Sequence, residues 1–376
     1  MEMRYVEDPE INEKVSEIIE ELKRELVSRF HPKSIILIGS FGRGEATVIE
    51  KDGKLNFLSD CEVILIPYKW IFNRSKLDEF EQEFYQRTGL KIEIWGFTTT
   101  LYLLFPFLNK RIKPTIASYE LKYGSKVIYG KDYLKKIPDF KPEDIPLWEG
   151  IRLLFNRMAE ALKYFSLEEP TVEMIFWTDK IVLACQDALL LTVGRYHPSY
   201  KKRNELFKEV FPKLQIDIPP DFLRITEEAT KRKLSGKVNN IDPVDYWFSI
   251  SGICDKIFRY VIKTEFGFTF TDYLDFQEKY IKHRRRFSLF SNLIRYLKVL
   301  TLCKHKKFLP LKLKVDIDYL DLIYSIIPIA FFELCGKNPD SMYLKRCLEV
   351  LRHFGVNCKP QECLKAIIEV WELLVK

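Results

Sequence analysis

The sequence predicts an α+β protein in which strands and helices mix over the N-terminal third and helices dominate the remainder. Short β-branched runs and helical apolar stripes follow one another over residues 1–97, whereas apolar residues beyond residue 148 recur at i, i+3 and i+4. Prolines at 138, 142 and 146, in a polar context, separate the two patterns. We therefore predict one domain over 1–140 and a second over 141–376, the latter divisible into subdomains 150–275 and 276–376.

Length and composition agree with two domains. A chain of 376 residues exceeds what one hydrophobic core usually serves. Its 47% hydrophobic content, with 15 Gly and 18 Pro, excludes disordered and collagen-like classes. The chain shows no signal-peptide pattern, no apolar run of about 20 residues and no Cys spacing suited to zinc. We expect a cytoplasmic protein without a transmembrane segment, its eight cysteines buried as thiols. Scarce Gln beside abundant Lys, Glu and Ile is typical of thermophile proteins.

The elements of the first domain follow from apolar periodicity and from turn residues. A helix begins the chain, a glycine-rich turn comes after the first strand, and Lys51-Asp52-Gly53 indicates a hairpin. The predicted order is helix 9–29, strand 34–38, turn 39–45, hairpin strands 47–50 and 54–57, strand 61–66, a helix closed by Gly89, strand 90–97, helices 98–108 and 113–122, and strand 125–129. The second domain is predicted to contain helices 150–166, 172–193, 202–210, 244–264, 279–308, 341–354 and 361–375.

The residues that carry chemistry lie beside the glycine-rich turn. Strand 34–38 leads into Gly39-Ser40, and Asp60 and Glu62 lie two residues apart at the next long strand, so both side chains point to one side. Glu93, on the following strand, is placed to converge on the same point. Clustered carboxylates repel one another without a cation, and Mg²⁺ prefers oxygen ligands. The sequence therefore predicts a magnesium site at Asp60, Glu62 and Glu93.

This pattern resembles that of the nucleotidyltransferase superfamily, which includes DNA polymerase beta, the minimal nucleotidyltransferases and kanamycin nucleotidyltransferase. GSFGRGE at 39–45 and SDCE at 59–62 stand for the family's GSxxRGE and SDxD/E, with Glu93 as the third acid. The match covers roughly residues 31–130, a third of the chain. The resemblance implies the nucleotidyltransferase fold, a small mixed sheet with helices on one side. It also implies transfer of a nucleoside monophosphate from ATP or another NTP to an acceptor, with release of pyrophosphate.

The resemblance also implies a role for each residue. Gly39-Ser40 and the turn's backbone amides would hold the β- and γ-phosphates, and Arg43 would add a phosphate contact. Asp60 and Glu62 would coordinate one or two Mg²⁺, while Glu93 would be a metal ligand or the general base. Two features depart from the family. Nineteen residues separate Ser40 from Asp60, which is longer than usual, and the second acid is Glu, as in kanamycin nucleotidyltransferase.

Plainer interpretations of these residues remain open. An Asp and a Glu at a strand end are often only solvated, a decayed site would look the same, and Glu93 also fits an ordinary solvent-facing position between two isoleucines. Glu45 is predicted to be structural, as a cap or an ion-pair partner. Arg195-x-His197 does not match the spacing of HEPN-type ribonucleases, so a ribonuclease is rejected.

The positive charge of the chain is concentrated in one segment. Residues 279–314 hold eight Lys and four Arg without Asp or Glu, so the rest of the chain is net negative although the total is +7. Phe287, Phe290 and Tyr296 are interleaved with these cations. The segment is compatible with a nucleic-acid surface, an anionic membrane or lipid-linked acceptor, or a plain solvated face.

The preferred hypothesis is a Mg²⁺-dependent nucleotidyltransferase that modifies a hydroxyl group, on a small molecule more than on RNA or protein. A non-catalytic nucleotide-binding or antitoxin-like interaction protein is the first alternative, and a nucleic-acid-processing nucleotidyltransferase the second. The resemblance to the kanamycin enzyme also makes a homodimer conceivable.

Overall fold

The computed structural model describes residues 3–51, 53–68, 73–95, 103, 112–238, 240–285, 292–293, 316–335 and 340–375. These form two compact units. The first is drawn from Met1–Glu149, Val193–Leu214 and Asp221–Asn239, and the second from Gly150–Thr192, Gln215–Pro220 and Asn240–Lys376. The first unit thus includes two segments that follow later in the sequence. The predicted boundary near residue 140 stays a prediction, and the predicted helix over 98–108 and most of the basic segment lie outside the described residues.

The first unit contains a small mixed sheet. Its elements are α1 (Pro9–Phe30), β1 (Ser34–Leu37), α2 (Gly39–Arg43), β2 (Val48–Lys51), β3 (Lys54–Phe57), β4 (Cys61–Ile66), α3 (Arg74–Thr88), β5 (Ile92–Trp95), α4 (Ile116–Tyr123), β6 (Lys126–Gly130), α5 (Leu147–Ala161), which continues into the second unit, and, after α6 (Val172–Leu191), α7 (Tyr200–Val210) and α8 (Phe222–Ser235). The strand order is β5-β4-β1-β6, and β2 and β3 form a separate hairpin. Strand β4 is parallel to β5 and antiparallel to β1, which is antiparallel to β6.

The two faces of the sheet have different coverings. Helices α1 and α3 pack on one face, because their apolar stripes (Val15, Ile19, Leu22 and Leu26; Leu77, Phe80 and Phe84) meet the alternate strand residues Ile35, Leu37, Val63, Leu65, Ile92 and Ile94. The opposite face buries Ile36, Ile38, Ile64 and Ile66 against Tyr133, Leu134 and Ile137. Apart from Glu62, both faces of the central strands are therefore apolar, which explains why β1 and β4 are mostly apolar runs in the sequence.

The second unit is helical in its described part. It contains most of α5, α6, α9 (Pro243–Phe266), α10 (Tyr273–Arg284), α11 (Tyr319–Tyr324), a π-helical turn (Ile329–Leu334), α12 (Ser341–Arg352) and α13 (Cys363–Val375). Helix α6 is buried nearly all round. Asp179 within it accepts a hydrogen bond from the Tyr246 hydroxyl of α9 at 2.7 Å. Tyr324 stacks on Phe155, with ring centroids 4.8 Å apart.

The lengths of the helices and the state of the cysteines can be read from the described residues. Across the described ranges, none of the helices combines the length and apolar character needed to cross a bilayer. Seven cysteines lie in those ranges, all as free thiols, and six are buried. Burial raises the pKa of the Cys61 thiol well above its usual range. These thiols therefore behave as small apolar core residues.

Candidate active site

The parallel strands β4 and β5 bring the predicted acids to one edge of the sheet. Asp60 precedes β4, and Glu62, two residues later, has its Cα opposite that of Glu93 on β5. Successive strand side chains alternate between faces, so Asp60 and Glu62 share the face that Glu93 occupies on the neighbouring strand. The Asp-x-Glu spacing and the strand register thus place two carboxylates side by side, with a third one step along the same face.

Gly39 lies directly against Glu62. It has a φ of +61° at the end of β1, and a Cβ built on it would lie 1.8 Å from Glu62 Oε2. Only glycine fits both the positive φ and this approach. Ser40 follows in α2, where its carbonyl accepts the Glu45 N–H at 2.9 Å. The glycine-rich turn and the acid of β4 therefore form one continuous surface.

The carboxyl group of Glu62 carries an unfavourable negative charge. Burial and the adjacent Glu93 raise its pKa, opposed in part by Arg43 and by a hydrogen bond from the Trp95 side chain. A partly buried carboxylate beside a second carboxylate is stabilised by a cation. The surroundings of Glu62 therefore suit a cation that binds to carboxylate oxygens.

Asp60 already has a cationic partner. Lys91 Nζ lies 2.7 Å from Asp60 Oδ2, with the two side chains 63% and 46% exposed. The hydrogen bond that Lys91 donates to this carboxylate raises the pKa of Lys91. Within the described ranges, no group of three or more His, Cys, Asp or Glu side chains is arranged to hold a metal ion. Metal binding by Asp60, Glu62 and Glu93 stays a prediction.

Arg43 is placed differently from the other residues of the turn. Its side chain is only 8% exposed, and Nη1 lies 3.0 Å from Glu120 Oε2 on α4. Its guanidinium also lies over the Tyr200 ring, 5.4 Å from the centroid. Burial opposes its charge, but Glu120 and Tyr200 raise the pKa of Arg43. The phosphate contact of Arg43 stays a prediction, and its partners among the described residues are the carboxylates of Glu120 and Glu45 and the ring of Tyr200.

Glu45 has the structural role that the sequence predicts. Its carboxylate accepts hydrogen bonds from the Ser199 hydroxyl at 2.7 Å and the Tyr200 N–H at 3.1 Å, at the start of α7. It also lies 3.7 Å from Arg43 Nε. Glu45 is thus both a cap and an ion-pair partner.

A cavity of about 470 Å³ opens beside Gly39 and Glu62. Trp95 and Glu120 line its sides, and its other described lining residues are Ile38, Ile64, Leu103, Ile112, Lys113, Thr115, Ala117, Ser118, Leu121 and Ser125. A mostly apolar cleft of this size with a few polar groups is typical of sites for small molecules.

Sequence reasoning missed four residues around this site. Lys91 and Trp95 lie two residues before and after Glu93, so strand alternation alone places them on its face. Lys233 of α8 lies 2.7 Å from Thr47 Oγ1 and 3.3 Å from Ser59 Oγ, next to Asp60. Nothing in the sequence links Lys233 or Glu120 to the site, because each comes from a distant element.

Comparisons with known proteins leave the family open. No protein-family model matches the chain. No curated protein matches it either. Among solved structures, the chain is similar to spectinomycin adenyltransferase from Enterococcus faecialis, crystallised with ATP and spectinomycin. The two are 14% identical with a TM-score of 0.37, over 64% of this chain and 98% of that one. A likeness of this degree carries no argument about function.

Proposed function

We propose that the protein is a Mg²⁺-dependent nucleotidyltransferase that transfers a nucleoside monophosphate from an NTP to a hydroxyl group of a small molecule. One observation carries the proposal. Gly39, at a positive φ, leaves room for Glu62 Oε2 where any Cβ would clash, and Glu62 faces Glu93 across parallel strands. A glycine turn joined to paired carboxylates is what binding a metal-bound triphosphate requires.

Each part of the proposed reaction requires a particular group of the chain. The acceptor oxygen attacks the α-phosphorus, the bond to the β-phosphate breaks, and pyrophosphate leaves with the electron pair. Glu93 is exposed on β5 beside Glu62 and would take the hydroxyl proton or bind metal. Glu62 and Asp60 would hold Mg²⁺, which when bound offsets charge on the phosphates. Gly39 and Ser40 would bring the backbone of the turn close to those phosphates.

The cavity favours a small acceptor over RNA or protein. At about 470 Å³, with its apolar lining, it has room for one compact molecule beside Glu62. ATP as the NTP, the acceptor class and a homodimer remain parts of the proposal.

Labelled nucleotide tests this function directly. Each α-³²P-labelled NTP would be incubated with Mg²⁺ and a small-molecule extract, and the products separated from nucleotide. We expect a labelled product formed with equimolar pyrophosphate, reduced at least about 100-fold in Asp60→Ala. Asp78→Ala is the matched control, because Asp78 is an exposed acid paired with Arg74 on α3. It should keep full activity.

The same assay separates the alternatives. Product formed equally well by Asp60→Ala would overturn the assignment. NTP binding that needs no Mg²⁺, together with no turnover, would favour a non-catalytic nucleotide-binding protein. Label appearing only on added RNA would favour a nucleic-acid-processing enzyme.

A further inference from the structure

Lys91 forms an ion pair with Asp60, one of the predicted metal ligands. Its ammonium lies 2.7 Å from Asp60 Oδ2. Lys91 directly precedes β5 as Asp60 directly precedes β4, and the first register pair of these parallel strands is Cys61 with Ile92. Glu62 and Glu93, the next pair along the same face, are both acids. The face therefore contains one carboxylate paired with a lysine and two carboxylates beside each other.

From this arrangement we propose that Lys91 is a built-in counter-ion that exchanges with the metal ion on Asp60. The inference rests on the proposed function, because it requires that Asp60 bind a divalent cation. Asp60 Oδ2 lies 2.7 Å from the Lys91 ammonium. This contact must break before the same oxygen can bind a metal ion on that side. Lys91 thus tunes metal affinity through Asp60 without being a metal ligand itself.

The exposure of the pair sets the size of the effect. With side chains 63% and 46% exposed, the ion pair is solvated and opens readily. Exposed ion pairs contribute little free energy, so removing the competitor should tighten metal binding by about two- to fivefold. A lysine that only stabilised the strand would leave metal affinity unchanged.

Manganese binding, followed by electron paramagnetic resonance of the free ion at pH 7.5, measures this effect without turnover. We expect Lys91→Gln to bind Mn²⁺ about threefold more tightly than the unaltered chain. Lys14→Gln is the matched control, since Lys14 is an exposed lysine 2.6 Å from Glu50. Its Mn²⁺ affinity should equal that of the unaltered chain.

A double-mutant cycle shows whether Lys91 acts through Asp60. In an Asp60→Asn background, Lys91→Gln should no longer change the residual Mn²⁺ affinity, because the exchanged contact is gone. An equal gain in both backgrounds would indicate a general charge effect and would overturn the inference. So would Lys91→Gln binding Mn²⁺ no more tightly while Asp60→Asn still weakens binding. Absence of any Mn²⁺ binding by the unaltered chain would overturn the proposed function as well, which distinguishes the two failures.

Discussion

At the scale of single residues, the geometry around Gly39 ties the glycine-rich turn to the candidate acid Glu62. The residue combines a φ of +61° with contact to the Glu62 carboxylate. Gly89, which closes α3, has a similar φ of +72°, but no atom of the described residues lies within 4 Å of the position that its Cβ would take. A comparison of Gly39 with Gly89 therefore separates the effect of backbone strain from the effect of crowding the Glu62 carboxylate.

Substituting each glycine by alanine should give different outcomes. Both variants should lose about 1 kcal/mol of stability, because alanine is strained at positive φ. Only Gly39→Ala should displace Glu62 and lower pyrophosphate release, by about 100-fold or more. Steady-state pyrophosphate assays beside urea unfolding measure both effects. Full activity in Gly39→Ala would show that Glu62 does not need its described position.

A second prediction at this scale concerns His197. Burial and Arg203 lower its pKa below 6.5, and its Nδ1 accepts the Ser199 N–H at 3.0 Å. The folded state therefore binds fewer protons here than the unfolded chain, so stability is present above about pH 6.5 and falls as the pH drops through the lowered pKa. The loss should be about 0.5 kcal/mol, allowing for partial exposure.

The His197→Gln variant isolates this contribution. Urea unfolding of both proteins at pH 7.5 and pH 5 should show the larger pH-dependent loss in the unaltered chain, because the variant cannot take up that proton. Parallel pH profiles would mean that His197 does not titrate differently on folding.

The residues were unequally predictable. Asp60, Glu62 and Glu93 follow from strand alternation and from the glycine turn, which are local patterns. Strand alternation could also have placed Lys91 on the same face. The sequence alone, however, does not distinguish a lysine paired with a site carboxylate from an ordinary solvated ion pair. Glu120 contacts Arg43, and Lys233 contacts Thr47 and Ser59, through tertiary packing that local sequence patterns do not record.

At the scale of elements, the attachment of α7 to the glycine-rich turn is the main feature. Ser199 is the N-cap of α7, and its hydroxyl and the next N–H both donate to Glu45. A carboxylate at the start of a helix satisfies amides and favours the helix dipole. Glu45 therefore fixes the position of α7 against the turn.

Removing this carboxylate should destabilise the first unit. Glu45→Ala leaves the Ser199 hydroxyl and the Tyr200 amide without this acceptor, so we expect a loss of about 2 kcal/mol. Glu50→Ala is the control, because Glu50 forms an exposed pair with Lys14, and its loss should cost less than about 0.5 kcal/mol. Urea unfolding measures both values. Equal losses would contradict the capping role.

At the scale of elements, the sequence predicted correctly those helices and strands that bury one face or both faces. Helices α1 and α3 and strands β1 and β4 show clear apolar periods, and each lies close to its predicted range. Helix α8 escaped prediction because its segment, FLRITEEATKRKLS, has few apolar residues, and it buries Thr226, Thr230 and Arg232 along with Phe222 and Leu234. Helix α6 ends at Leu191 with Thr192 as cap, two residues before the predicted Gly194.

At the scale of the whole molecule, the basic segment is partly neutralised by its own unit. Arg284 Nε lies 3.0 Å from Asp321 Oδ1, with side chains 18% and 4% exposed. Lys279 lies 2.8 Å from Asp275, and Arg285 lies 3.9 Å from Asp316. In this described part, the positive charge, for which the sequence left open a nucleic-acid surface, an anionic membrane or acceptor, and a plain solvated face, is partly paired within the unit.

Substituting alanine for Arg284 and for the adjacent Arg285 should therefore lower stability by different amounts. Arg284→Ala leaves Asp321 as a buried, poorly compensated charge and should cost about 3 kcal/mol. Arg285→Ala should cost less than about 0.5 kcal/mol, because its pair is long and exposed. Thermal unfolding gives the comparison. If Arg284→Ala instead kept its stability and lost affinity for RNA with a reduced salt dependence, a nucleic-acid surface would be supported.

The bond between Glu45 and α7 also bears on synthesis of the chain. Domains generally fold from the N-terminus as they leave the ribosome. Here the turn that holds Gly39 emerges early, but its cap partners Ser199 and Tyr200 emerge only after α5 and α6 have been made. A nascent fragment that stops before α7 would leave Glu45 without the hydrogen bonds from Ser199 and Tyr200. The first unit is therefore completed late in translation, and a gene truncated after residue 149 should yield a fragment that chaperones or proteases recognise.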